Sequence, residues 1–248
     1  MKAWGITDTG LVRNENQDAY SIWYSEAYTA AVVCDGMGGA AGGQIASTVA
    51  VETYQHELTA ALRSDMDANQ IAQAMLYAIS LANNAIHQRA KENPELVKMG
   101  TTLVSAVCMP TEAVIANIGD SRAYSITADG ITQISRDHSV VENMVERGEI
   151  TRLEARHHPS RNLITRAIGP DDAVQGDTFT HSWKPGDFLL LCSDGLIKPV
   201  SEQEILLEVI HTQDLDHCLQ RLLDIAKDNG APDNVTAVLL MNEEKEVT

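Results

Sequence analysis

Four aspartates with the chemistry of metal ligands lie directly beside short apolar runs of the sequence: Asp18, Asp35, Asp194 and Asp233. Asp35 follows the apolar run 31–34 and precedes the glycine-rich segment 36–39, and Asp194 follows the apolar run 188–192. Apolar runs of this length, bounded by turn signals, are typical of buried strands. A buried carboxylate needs a partner. Oxygen ligands without accompanying histidine or cysteine favour Mg²⁺ or Mn²⁺ over zinc.

The glycine-rich segment has two other interpretations. Residues 36–41 fit the dinucleotide-binding pattern G-x-G-x-x-G/A between a strand and a helix. Asp35 would then lie against a pyrophosphate, and the acidic residue expected about 20 positions later would fall inside the next helix, so we reject this interpretation. The simpler alternative is that Asp-Gly forms a turn, as we expect for Asp129-Gly130. A turn explains Asp35 or Asp194 alone equally well, but it does not explain the set of four.

Seven short motifs occur in order along the chain: R-N-x-N-Q-D at 13–18, V-C-D-G-M-G-G at 33–39, G-T-T at 100–102, N-I-G-D-S-R-A-Y at 117–124, R-D-H-S at 136–139, C-S-D-G-L at 192–196 and D-N-V-T at 233–236. Together they resemble the bacterial metal-dependent serine/threonine phosphatases of the PPM/PP2C type. The resemblance covers nearly the whole chain. Each motif is weak alone, and their common order makes the resemblance specific.

The resemblance implies a two-metal hydrolysis of phosphomonoesters with Mn²⁺ or Mg²⁺. Two ions about 3.5–4 Å apart bridge a water, deprotonate it and present hydroxide in line with the phosphorus. By resemblance, Asp35 bridges both ions and the carbonyl of Gly36 is a further ligand. Asp194 and Asp233 complete the coordination of the second ion, and Asp18 binds metal directly or through water.

Two further residues receive a role from the resemblance. Asp120, in the segment 119–122, matches the position linked to a third and weaker ion in bacterial relatives. The alternative is an ordinary turn aspartate. Arg13 is the expected phosphate clamp because a guanidinium binds phosphate oxygens bidentately. Its alternative is a surface ion pair with Glu15 or Asp18.

One position departs from the family pattern. Many bacterial relatives carry a histidine, a proposed general acid, directly after the Gly-Gly of the central motif, and here that residue is Ala40. Either water or another residue then protonates the leaving alkoxide, or the reaction is slower on poor leaving groups. His138 is a conceivable substitute, although such a histidine is more often structural.

The periodicity predicts two early and two late helices with strands around them. An early helix spans 44–62, and the next runs from Ala68 to about Asn93 with Asp67 and Gln70 as its capping box. The late helices are a capped helix that opens at 201–204 and reaches about Ile210, and a helix over 215–228. Capping-box patterns also mark 151–154.

Strands are predicted at 2–7, 19–24, 101–109, 113–118, 122–126, 131–135, 177–183, 187–192 and 234–241. Their close spacing favours antiparallel hairpins, including one that joins 177–183 to 187–192. This order predicts an α+β fold, an α-β-β-α sandwich of two antiparallel sheets flanked by helix pairs, which the resemblance also implies. We expect one domain over 1–248, in which 139–168 resembles the family's flap beside the active site.

Composition excludes several classes of protein. The net charge of -17 argues against nucleic acid or an anionic membrane as the main partner. The cysteines form no C-x-x-C pair and are expected to be reduced core residues. No apolar run approaches a membrane span and no signal peptide is recognisable, so we expect a cytoplasmic protein. We also expect a monomer.

The sequence therefore predicts a metal-dependent phosphatase of phosphoserine and phosphothreonine in proteins. Arg13, Asp35 and Asp194 are the expected catalytic residues. The expected partners are phosphorylated proteins and a cognate serine/threonine kinase. A dedicated phosphatase for a phosphoserine on an anti-sigma-factor antagonist would differ only in substrate. The alternative from another class is a phosphatase-fold binding or sensor module with little turnover. A metal-dependent nuclease is disfavoured because the chain has no basic track.

Overall fold

Two antiparallel sheets lie face to face between layers of helices in the computed structural model, which describes residues 1–39, 42–212 and 214–243. One sheet contains, in spatial order, β1 (Lys2–Asp8), β11 (Val235–Met241), β10 (Phe188–Cys192), β7 (Arg122–Thr127) and β8 (Gly130–Gln133). The other contains β2 (Asp18–Tyr24), β3 (Thr29–Met37), β5 (Leu103–Cys108), β6 (Glu112–Ile118) and β9 (Asp177–Ser182), with β4 (Gly100–Thr101) paired to the end of β3. The predicted α+β class and the two antiparallel sheets are confirmed.

Helices cover the outer face of each sheet. The helices α1 (Gly42–Ala61) and α2 (Ala68–Glu92) pack on the β2–β9 sheet, and α6 (Glu202–His211) and α7 (Leu215–Asp228) pack on the β1–β8 sheet. Shorter helices are α3 (Val140–Glu146), α4 (Arg152–His157), α5 (Asp194–Ile197) and a 3₁₀ turn, Pro94–Leu96. The predicted capping boxes that begin α2, α4 and α6 are confirmed, because in each one the side chain of the residue before the helix accepts from the backbone of the third helical residue.

The apolar runs at the sheet centres are buried on both faces, and their alternation determines where the acidic residues point. In β3, Val32 and Cys34 pack against α1 and α2, while Ala31 and Val33 pack against the other sheet. Burial of a valine side chain stabilises the folded state by about 1.5–3 kcal/mol, and this stabilisation determines which face of β3 each side chain occupies. Because side chains alternate along a strand, Asp35 continues the face between the sheets, at the point where the inter-sheet core ends.

Two strand predictions were wrong. The segments 177–183 and 187–192 do not form a hairpin, since β9 pairs with β6 in one sheet and β10 pairs with β7 and β11 in the other. The chain crosses between the sheets after Trp183, whose indole is buried in the inter-sheet core and donates to the carbonyl of Met109 at 2.8 Å. The predicted strand 101–109 is divided at Thr102, whose N–H and Oγ1 both bond to the backbone of Asp35.

In the described part of the chain, the helices are too short or too polar for one of them to cross a membrane. The four cysteines are free and buried, as the sequence predicted.

Candidate functional site

An open acidic cleft of about 620 Å³ lies at the edge where both sheets end. Its walls come from the loop before β2, the end of β3, the β6–β7 turn, the segment 162–164, α5 and the loop before β11. The polar and charged lining residues are Arg13, Asn14, Glu15, Gln17, Asp35, Thr102, Asp120, Asn162, Asp194, Lys198, Asp233 and Asn234. Four of the predicted aspartates therefore line one cleft although they are spread over most of the sequence.

Asp18 and Asp35 are direct neighbours in the β2–β3 ladder. Residues paired across antiparallel strands project from the same face, so Asp18 also points between the sheets. Its Oδ2 accepts a hydrogen bond of 2.8 Å from Ser193 Oγ, which comes from the opposite sheet. Its Oδ1 is buried and has no hydrogen-bond partner.

The backbone around Asp35 is held on both sides. Its N–H donates to Thr102 Oγ1 at 3.0 Å, and its carbonyl accepts from the Thr102 N–H at 2.9 Å and from Thr101 Oγ1 at 2.8 Å. Gly36 donates its N–H to the carbonyl of Gln17 at 3.1 Å. A side chain at Gly36 would collide with the carbonyl of Gly43 at the start of α1, so glycine is required for the close contact between strand, loop and helix.

Asp194 and Asp120 reach the cleft from the β1–β8 sheet side. Asp194 is the first residue of α5, directly after β10, and its Oδ1 is buried without a hydrogen-bond partner. Its other oxygen forms an ion pair with Lys198, one helical turn later. Asp120 lies in the tight β6–β7 turn, where Gly119 has a φ of 97°, a conformation that favours glycine.

Asp233 and its neighbour join the two ends of the chain. Arg13 Nη2 donates to Asp233 Oδ2 at 2.8 Å, so Arg13 pairs with neither of the acids that its alternative interpretation named. The Asn234 side chain accepts from the Gln17 N–H at 2.8 Å and donates to the carbonyls of Thr9 and Glu15 at 2.9 Å. The Asp-Asn pair thus fixes the first loop against the start of β11.

The carboxylates disfavour one another's ionisation. Burial and the neighbouring Asp194 and Asp233 raise the pKa of Asp18 to about 6, although Ser193 and Thr236 act in the opposite direction. Burial and Asp194 raise the pKa of Asp120 to about 7. Burial, followed by the charges of Asp18, Asp194, Asp120 and Asp233, holds the pKa of Asp35 well above its usual range.

The donor set fits divalent cations that prefer oxygen. It consists of carboxylates and backbone carbonyls, and two of its buried carboxylate oxygens, Asp18 Oδ1 and Asp194 Oδ1, have no protein partner. Among the described residues, no three acidic, histidine or cysteine side chains are close enough together to hold one ion between them. Mg²⁺-type sites do not need three, because they commonly use one or two carboxylates and complete their shell with water. The arrangement thus suits ions that share carboxylates along the cleft.

The conceivable proton donor His138 is not in the cleft. It is buried, its Nδ1 accepts from the Gly119 N–H at 3.2 Å, and its Nε2 lies 3.2 Å from Asp177 Oδ2. His138 thus supports the turn that carries Asp120 and does not reach the reacting groups. Ala40, the position that lacks the family's histidine, lies outside the described residues.

The flap-like segment 139–168 contains α3 and α4. The isolated bridge Ser139–Ile164 joins its two ends, and the bridge Thr101–Ile168 ties it to the body of the protein. Its mixed charges partly pair with one another, since Arg152 binds Glu142 at 3.1 Å between the two helices.

The cleft is also lined by Lys198, Asn162 and Ile164, which no sequence motif singled out. Lys198 follows Asp194 by four residues, and this helical spacing is the one signal that pointed to it.

Comparison with known proteins gives consistent matches. Residues 12–240 match the family model described as Protein phosphatase 2C. The serine/threonine phosphatase stp of Listeria innocua is 35% identical over 244 residues, covering 97% of this chain and 95% of the relative. The crystal structure of serine/threonine phosphatase Stp1 from Staphylococcus aureus has a TM-score of 0.92 at 37% identity and covers 98% of this chain and 95% of that one. That of the Mycobacterium tuberculosis phosphatase PstP/Ppp has a TM-score of 0.83 at 33% identity, with 98% and 99% covered.

Proposed function

The chain belongs to the protein phosphatase 2C family of serine/threonine phosphatases, and we propose that it removes phosphate from phosphoserine and phosphothreonine in proteins with Mn²⁺ or Mg²⁺ as cofactor. The observation that carries this proposal is the convergence of the predicted aspartates on one cleft, with two buried carboxylate oxygens that lack a protein partner. A pair of such ions supplies an activated water for attack on phosphorus and neutralises charge on the phosphoryl group.

The aspartates would hold the ions in the following way. Asp35 would contact both ions, since it lies at the junction of the two sheets, and the Gly36 carbonyl would add a ligand. Asp194 and Asp233 would complete the coordination of one ion. Asp18, oriented by Ser193, would bind directly or through water. Asp120 is the remaining carboxylate of the cleft, beside which a further ion would bind only weakly.

Arg13 would bind the substrate phosphate. Its side chain is 55% exposed at the mouth of the cleft and is already directed toward the acidic cluster by Asp233. That hydrogen bond raises the pKa of Arg13 further, so the guanidinium is charged at any relevant pH. An exposed ion pair of this kind is weak, and phosphate oxygens can compete with Asp233 for the same N–H groups.

The leaving alkoxide needs a proton, and none of the described residues that line the cleft is a histidine. We propose that water supplies this proton. The leaving groups of activated esters need little protonation. The ratio of the rate on an activated ester to the rate on phosphoserine should therefore be higher than in an enzyme with a well-placed general acid.

The proposed biological partners follow from the chemistry. The substrates would be phosphorylated loops of other proteins that reach the cleft past the segment 139–168. A serine/threonine kinase would supply them. We place the protein in the cytoplasm, in keeping with its four free and buried cysteines, and we propose that it is a monomer.

The test is hydrolysis of p-nitrophenyl phosphate and of a phosphothreonine peptide, with Mn²⁺ or with EDTA. The variant Asp194→Ala should lose activity on both substrates, and Asp65→Ala, on the 78%-exposed side chain of Asp65, is the matched control. Activity that needs Mn²⁺ and disappears only in Asp194→Ala supports the proposal. A folded protein without turnover on either substrate would contradict it and favour the binding or sensor module.

A further inference from the structure

Lys198 brings a positive charge into the acidic cleft from α5. The backbone N–H of Lys198 donates to the backbone carbonyl of Asp194 at 3.0 Å and continues the helical turn beyond Ile197. Residues four apart in a helix lie on the same side, so the Lys198 ammonium lies beside Asp194 Oδ2 and forms an ion pair with it. The side chain is only 34% exposed and lines the cleft. This charge is therefore part of the site and not of the outer surface.

The surroundings of Lys198 keep it charged. Burial by itself lowers the pKa of its ammonium group, but Asp194, and then Asp120 and Asp233, outweigh burial and raise this pKa above its usual value. Asp120 lines the same cleft as Lys198 and Asp194. Lys198 thus lies in the part of the cleft, between Asp194 and Asp120, where a third divalent ion would bind.

We propose that the Lys198 ammonium serves as the built-in third cation of the site, so that Asp194 and Asp120 are neutralised by a side chain instead of by an additional metal ion. This inference rests on the proposed function of the cleft as a metal centre. It adds that the chain itself limits how many ions the centre takes. Two ions would remain bound by Asp35, Asp18, Asp233 and the unpartnered Oδ1 of Asp194, and the ammonium would repel a third ion beside Asp120.

The role is one of positioning and charge, and Lys198 does not need to contact the reacting phosphorus. A divalent ion beside Asp120 would have to displace the ammonium from Asp194 or accept it as a like-charged neighbour. Removal of the ammonium should therefore create a further ion site or tighten a weak one by at least about tenfold, the range typical of coupled binding sites.

Isothermal titration with Mn²⁺, together with metal analysis of the equilibrated protein, tests the inference without reference to activity. The wild type should take up two ions. Lys198→Gln should bind a further ion, or bind it at least about tenfold more tightly. Lys198→Arg keeps the charge and should behave as the wild type. Lys184→Gln, a change at an exposed lysine in the turn before β10, is the control for loss of a positive charge elsewhere.

Equal stoichiometry and affinity in the wild type and Lys198→Gln would overturn the inference, as would a wild type that already binds three ions with similar affinity. Weaker binding of inorganic phosphate by Lys198→Gln with unchanged Mn²⁺ binding would also overturn it, because the lysine would then act on the substrate. If Lys198→Gln does not fold, the ion count of the wild type decides the matter: two ions support the inference and three contradict it. A wild type that binds Mn²⁺ and hydrolyses p-nitrophenyl phosphate upholds the proposed function in every one of these cases.

Discussion

Asp18 and Asp35 lie directly opposite each other in the β2–β3 ladder, with both carboxylates on the face between the two sheets. Like charges at directly opposed positions of a sheet are destabilising. Burial and the charge of Asp18 raise the pKa of Asp35, and burial with the charges of Asp194 and Asp233 raises that of Asp18. Nothing in the packing of the strands requires two acids at this place, since apolar residues fill the same face further along β2 and β3. The pair is therefore a cost to the fold that a bound divalent cation would offset.

The first prediction concerns Asp35→Asn, which keeps the size of the side chain and removes one of these charges. At pH 8 in EDTA the variant should have a higher Tm than the wild type, because the repulsion is relieved. Mn²⁺ should raise the Tm of the wild type and leave that of the variant unchanged. Phosphatase activity should fall by about 10²–10³, the usual effect of removing a group that stabilises charge in the transition state.

Asp129→Asn is the matched control, because Asp129 also precedes a glycine but lies exposed in the β7–β8 turn. Its Tm shift with Mn²⁺ and its activity should equal those of the wild type. If Asp35→Asn and Asp129→Asn behave alike, Asp35 is a turn residue and the metal assignment is wrong.

The second prediction concerns Arg13→Ala. KM for a phosphothreonine peptide should rise by about tenfold or more, because a bidentate contact with phosphate is lost. The free energy of unfolding should change by less than about 1 kcal/mol, since the pair with Asp233 is exposed. Arg13→Lys should recover only part of the binding, because an ammonium lacks the planar fork. Arg63→Ala, at another exposed ion pair, serves as the control. An unchanged KM in Arg13→Ala would contradict the assignment.

The third prediction concerns Ser193, which connects the two sheets at the cleft. Its Oγ accepts from the Thr236 N–H at 3.0 Å and donates to Asp18 Oδ2 at 2.8 Å. Ser193→Ala removes both of these buried hydrogen bonds, which should lower the free energy of unfolding by about 1–3 kcal/mol. Because hydrogen bonds from neighbouring side chains orient metal ligands, Mn²⁺ affinity should also fall by about 10–100-fold.

Urea unfolding and Mn²⁺ titration measure the two effects of Ser193→Ala. Ser80→Ala, which removes a hydroxyl bonded only within α2, should be neutral in both. Loss of stability without loss of Mn²⁺ affinity would show that Ser193 supports the fold but does not orient a ligand.

The fourth prediction is a pH dependence that originates at His138. Burial lowers its pKa below 6.5 and the charges of Arg166 and Arg136 act in the same direction, while Asp177 partly opposes them. Protonation would also remove the acceptor that Nδ1 offers to the buried Gly119 N–H. The unfolded chain therefore binds more protons than the folded one between the folded pKa and 6.5, so stability is lost as pH falls through this interval and is fully present above it.

Urea unfolding in EDTA at pH 7.5, 6.5 and 5.5 measures this effect. The wild type should lose more stability than His138→Gln, by at most about 1.4 kcal/mol per pH unit. His56→Gln, at a histidine with an 80%-exposed side chain, should follow the wild type. An identical pH slope in His138→Gln and the wild type would show that His138 does not titrate with unfolding.

Local signals in the sequence were enough to place the elements that carry the acids. The capping pattern at Asp67 and Gln70 predicted the start of α2, and the period-2 burial of the apolar runs explains why Asp35 points into the cleft. These features depend on residues that are close in sequence, where spacing alone determines which side chains share a face.

Long-range pairing was not predictable in the same way. The segments of β9 and β10 follow each other through a Lys-Pro-Gly turn and looked like a hairpin, yet they belong to different sheets. A Lys-Pro-Gly turn can join two strands of a hairpin or two strands of different sheets. Which of the two forms depends on the buried strand with which each segment pairs. The position of Lys198 in the cleft also depended on α5, a helix of four residues that is too short to show periodicity.

The most direct test of the central claim measures bound Mn²⁺ and release of phosphate from a phosphothreonine peptide in the same samples, as Mn²⁺ is added to metal-free protein. We expect no turnover without metal and a rate that rises in step with occupation of the ion sites at Asp35, Asp194 and Asp233. Turnover in excess EDTA, or a fully occupied and folded protein that releases no phosphate, would contradict it.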